Sequence, residues 1–80
     1  MTLPVDPERL RARFPDLDDG DLAAYVEVTQ RVLANPTRKG RLMAEILAEG
    51  RRVRGKARES LTADESLALK YLIAVEKMQG

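Results

Sequence analysis

The chain contains no cysteine and no histidine. The first absence excludes disulfides and gives no sign of an oxidising compartment. Together they remove the thiolate and imidazole ligands of ordinary zinc sites, and with them the commonest general-base and nucleophile pairs. Chemistry would have to rest on carboxylates, lysines, hydroxyls and two tyrosines. Long apolar runs are missing too, since no stretch approaches the roughly 20 residues of a membrane span. The opening "MTLPVDPERL" has neither the basic start nor the apolar run of a secretory signal. The expectation is a cytoplasmic protein without membrane contact.

No catalytic constellation emerges from what remains. Asp64 and Glu65 are adjacent, but they fall in the first turn of a helix, where acids are favoured by the dipole. Ser60 and Ser66 have no histidine to activate them, and no glycine-rich phosphate motif is present. The sequence therefore points to a non-enzymatic protein with no cofactor, no metal and no small-molecule substrate.

What is there is 80 residues with a net charge of +1. That length predicts a single domain over residues 1–80 with one modest core. A domain this short buries roughly 60% of its unfolded surface and gains from self-association. Four prolines, Pro4, Pro7, Pro15 and Pro36, serve as punctuation. Asp6 can cap a short helix over about 7–14 that starts at Pro7 and stops before Pro15.

A second helix is predicted over about 19–34, with Leu22, Tyr25, Val26, Thr29, Val32 and Leu33 at helical spacing. Counted from the first residue of its opening "DLDDGD", Asp16, Asp18 and Glu27 fall on positions one, three and twelve of a calcium loop. Glycine and aspartate then fall in the wrong order, so the acids read as partners of the helix dipole. The stretch "RARFPDLDDGDLAAYV" resembles the opening helices of small phage head-to-tail connector proteins. That likeness spans a fifth of the chain and contains no chemical motif, so it implies no function.

Asn35 and Pro36 can start a third helix whose buried face is Leu42, Met43, Ile46 and Leu47. Gly50 leaves two readings. It can end the helix as a left-handed cap, or the helix can run on, because Val53 and Ala57 extend the stripe. The pattern favours a helix over about 36–58. The last helix, about 62–78, opens with a capping box made by Thr62 and Glu65. With no strand alternation, the fold class is all-α: a small bundle of three main helices plus the short N-terminal one.

Charge is segregated along the chain. Residues 15–37 carry −4, residues 38–58 carry +6 with eight cations against two acids, and residues 59–80 carry −2. The octet "RRVRGKAR" supplies Arg51, Arg52, Arg54, Lys56 and Arg58, with Arg38, Lys39 and Arg41 upstream. On a continuous helix, Arg51, Arg54 and Arg58 form one edge, and Arg52 and Lys56 lie on the other side near Glu45 and Glu49. These cations can grip the phosphates of a nucleic acid, or they can be solvated heads over apolar stems. No aromatics are interleaved among them, which speaks against stacking on single strands.

The last helix holds more apolar residues than one face can take. Leu67, Ala68, Tyr71, Leu72, Ala74, Val75 and Met78 form a broad arc, and Leu69 and Ile73 lie outside it. They are covered either by Leu10 and Phe14 of the short helix or by another protein. The resulting expectation is an interaction or adaptor module. It would pair with itself as a homodimer, or with another protein, through Leu69 and Ile73. The alternative is a nucleic-acid-binding or transcription-linked regulator using the eight cations of the third helix.

Overall fold

The computed structural model describes residues 6–35, 37 and 39–79, with the side chain of Lys39 excepted. Four helices follow one another: α1 (Pro7–Arg13), α2 (Asp19–Leu33), α3 (Lys39–Val53) and α4 (Ala63–Gln79), with a 3-10 turn at Arg58–Ser60 before α4. The described residues include no strand, so the all-α expectation holds. None of their helices is long and apolar enough to cross a membrane.

Local chemistry sets the helix starts. The Asp6 carboxylate accepts from the Glu8 N–H at 3.0 Å with Pro7 in the first turn. Asp18 caps α2 by accepting from the Asp21 N–H at 2.8 Å. At α4 the capping box is complete: the Thr62 N–H donates to Glu65 at 3.0 Å, and the Glu65 N–H donates to Thr62 Oγ1 at 3.2 Å. Asn35 does something else than predicted, because its side-chain amide donates to the Arg31 carbonyl at 2.8 Å and closes the end of α2. Pro36, expected in the first turn of the third helix, lies outside the described residues.

The third helix ends earlier than predicted. It passes through Gly50 and stops at Val53, so residues 54–57 are not helix and Arg58 opens the 3-10 turn. The chain leaves through three-residue hydrogen bonds, with the Arg54 N–H on the Arg51 carbonyl and the Lys56 N–H on the Val53 carbonyl. No described glycine has positive φ, so neither Gly50 nor Gly55 is a left-handed cap. Gly55 is a poor helix residue, costing about 1 kcal/mol relative to alanine. Arg54 meanwhile gains a bidentate partner on α4 once the chain turns.

α4 is the centre of the fold. Both α2 and α3 pack extensively on it, whereas α2 and α3 touch each other sparsely. Toward α2, Tyr71 joins Val28 and Val32 in one buried cluster, and Ala74 joins Leu17 and Leu22 in another. Tyr25 stacks on Tyr71 with ring centroids 5.7 Å apart. Toward α3, the approach is closest at Gly50, where an added Cβ would stand 2.7 Å from the Ala68 carbonyl oxygen and 3.0 Å from Leu72 Cβ. Val28 and Val53 are fully sealed from solvent, one on each flank of α4.

This central position corrects the reading of Leu69. It is only 4% exposed, a core residue of the chain itself. A helix flanked on two sides needs two apolar arcs. Leu69 belongs to the second, the arc that also carries Ala68 and Leu72 against Gly50 and the arginine-paired Glu65 and Glu76. Ile73, at its border, is half-buried. Leu10 and Phe14 cover a different place, packing on the Leu17, Leu22 and Ala74 cluster.

Candidate interaction surface

The basic octet is divided between two sides of the α3–α4 crossing. Arg52 pairs with Glu49 on its own helix and reaches Glu65 of α4 at 2.8 Å. Arg54 holds Glu76 bidentately at 2.7 and 2.5 Å. Glu65 and Glu76 are eleven positions apart on α4, roughly 16 Å at helical rise. The two arginines thus bracket the close contact at Gly50 and staple it from both sides. Arg51, Lys56 and Arg58 are exposed and form no ion pair among the described residues.

Those three are not assembled into one patch. The field of Arg51 acts on Glu76, and that of Lys56 acts on Glu49 and Glu65 across the crossing. Arg41 stands exposed two positions into α3, which Lys39 opens; Arg38 and the Lys39 side chain lie outside the described residues. No phosphate cradle follows from this arrangement.

Three of the four acids of "DLDDGD" have engaged carboxylates. Asp18 caps α2, Asp19 pairs with Arg11, and the buried Asp21 holds Lys77 of α4 at 2.8 Å. The Lys77 ammonium also donates to the Asp16 carbonyl at 3.2 Å. No group of three acids among the described residues is arranged to hold a metal ion.

Several carboxylates titrate below their ordinary range. The Asp21 N–H lowers Asp18, and the Arg52 guanidinium lowers Glu49. Glu65 is lowered first by the Thr62 N–H and then by Arg52, while Arg54 lowers Glu76. A depressed folded-state value means stability that is present above the unfolded carboxylate range and lost as pH falls through the folded values. The thermal midpoint is therefore expected to be flat between about pH 7 and 5 and to drop below about pH 4.5. All four groups are solvent-accessible, so high salt should shrink that drop. A melting series over pH at low and high salt checks both.

The surface that sequence reasoning missed lies between α2 and α3. Because both helices lean on α4 and barely on each other, a cleft opens with Leu42, Ile46, Leu67 and Ala68 as its floor. Arg31 lines it from α2, Glu45 and Glu49 from α3, and Asp64 from the first turn of α4. The inner stripe of α3 is buried at Gly50 and Val53 but opens toward the N-terminus, where Leu42, Ile46 and Leu47 are half-buried. Met43, two turns before Gly50 on the same stripe, is 37% exposed. Leu33, at the end of α2, is 41% exposed. The available signal was the run of large aliphatics Leu42, Met43, Ile46 and Leu47, four on one short helix.

The chain matches no known protein family, no curated protein and no solved structure.

Proposed function

We propose that this chain is a cytoplasmic, non-enzymatic α-helical interaction module that associates with itself, through the cleft between α2 and α3. The observation that carries this reading is the apolar lining of that cleft, where the chain's own helices leave Leu42, Ile46 and Leu67 only half-buried. Apolar surface of this kind, rimmed by charge, is what helical partners bury. It replaces Leu69 and Ile73 as the anchoring surface, since Leu69 is already spent inside the fold. For a chain of 80 residues, the added burial is also a substantial share of its stability.

The test is sedimentation velocity from about 1 to about 500 µM, followed by amide NMR over the same range. The expected result is a rising sedimentation coefficient with shifts concentrated at Leu42, Ile46, Leu67 and Ala68. A monomer with unmoving cleft resonances across that range would end the proposal.

Nucleic-acid binding through α3 is the weaker reading, because Arg52 and Arg54 are occupied by carboxylates. The octet then offers three cations. With Arg52 and Arg54 set aside, six of the eight cations remain, and a duplex DNA titration should give weak binding with a log–log salt slope no steeper than about −5, where all eight would give about −7. The steeper slope would reinstate the basic segment as a polyanion grip.

A further inference from the structure

The rim of the cleft carries charge of both signs, and this suits one occupant above others. A rim of a single sign repels its own copy; one with a cation on α2 and acids on α3 and α4 is self-complementary under a twofold axis, where residue i meets j and j meets i. Arg31 is half exposed, and its only ion pair among the described residues is a loose 3.7 Å contact to Glu27. Asp64 is exposed in the first turn of α4 and forms no ion pair among the described residues. Glu49, by contrast, is already held by Arg52.

We infer that the cleft is the twofold interface of a homodimer, in which Arg31 of each copy pairs with Asp64 of the other over the apolar floor. This rests on the self-association reading above and specifies its geometry. A standard interface takes about 600–1,000 Å² from each partner. Against a total accessible surface of 5600 Å², that is roughly a tenth to a fifth of the chain. The rim charges set register and orientation, and the floor supplies the burial.

The geometry has a consequence that contacts within one chain cannot imitate. Arg31→Asp places two acids opposite each other at both ends of the homodimer, and Asp64→Arg places two arginines there. Each variant alone is expected to dimerise at least about tenfold more weakly than the parent. Mixed in equal amounts, the two variants restore both pairs, because each copy then supplies the charge that the other lacks.

The experiment is sedimentation velocity on each variant and on the mixture, at a concentration where the parent is dimeric. Circular dichroism confirms that both variants are helical, as expected for substitutions at exposed sites. Arg31→Gln and Asp64→Asn serve as milder versions that weaken the dimer and regain only one of the two pairs on mixing. Recovery of dimer in the mixture alone is the expected result. A mixture no more dimeric than its components, or single variants as dimeric as the parent, overturns this pairing and leaves self-association by another register standing. A parent chain that never dimerises overturns both.

Discussion

Replacing Leu69 by aspartate is expected to unfold the bundle. Leu69 is 4% exposed and shares the α3-facing side of α4 with Ala68 and Leu72. Removing the leucine forfeits about 1.5–3 kcal/mol of burial. An unpaired carboxylate in its place adds a desolvation penalty of several kcal/mol. A chain of 80 residues has a total stability of only about 4–12 kcal/mol. The two losses together are of that size, so the far-UV helical signal and the cooperative melt should both collapse. Ile73→Asp is the informative control. Ile73 is half-buried at the edge of the same arc, its substituent can reach water, and the variant should remain helical with a lowered midpoint. A Leu69→Asp chain melting like the parent would return Leu69 to the surface and with it the idea of α4 as the docking helix.

That contrast marks where the sequence was readable. Asp6, Asp18, Thr62 and Glu65 act through residues two or three positions away, so the starts of α1, α2 and α4 could be read from spacing alone. The stripe on α2 was read only in part: Leu22 and Val32 are buried as expected, but Leu33 is 41% exposed and Val28, outside the expected stripe, is fully buried. What could not be read was which helix sits in the middle. Leu69 looks surplus when α4 is given one neighbour and necessary when it is given two. Apolar periodicity on one helix does not count its neighbours.

The end of α3 was hidden for a related reason. Arg52 and Arg54 find Glu65 and Glu76 thirteen and twenty-two positions away, and those pairings belong to the crossing of two helices. A helical wheel of α3 shows the arginines on two sides but not the carboxylates that occupy them. The cleft followed the same logic. Leu42, Ile46 and Met43 read as ordinary core, but α2 and α3 touch only sparsely, so the first two are half-buried and Met43 is exposed.

Gly50 carries the sharpest version of this lesson, because its effect on stability has the opposite sign to the one helix propensity gives. Inside a helix, alanine is preferred over glycine by about 1 kcal/mol, and Gly50→Ala should on that ground stabilise α3. The structure places an added Cβ 2.7 Å from the Ala68 carbonyl oxygen, 3.2 Å from its carbon and 3.0 Å from Leu72 Cβ. The first two obstacles are backbone, which no rotamer change can move. α3 and α4 would have to separate between the two arginine staples, loosening Val53 and the contacts on both sides. Overpacking of this kind costs about 1–3 kcal/mol and occasionally more. With the obstacle rigid, the upper end applies, and the net loss after the propensity gain is about 2 kcal/mol. For a chain of this size, that lowers the melting midpoint by roughly 8–16 °C. Gly40 is the matched comparison, a glycine in the first turn of the same helix with nothing within 4 Å of an added Cβ. There only the propensity and chain-entropy gain remains, and Gly40→Ala should raise the midpoint by a few degrees. Urea unfolding of the two variants, read at unchanged slope, separates the cases. Shifts of opposite sign establish that α3 and α4 meet backbone to backbone at Gly50; two stabilising shifts would mean that the crossing is wider than this and that the glycine is dispensable.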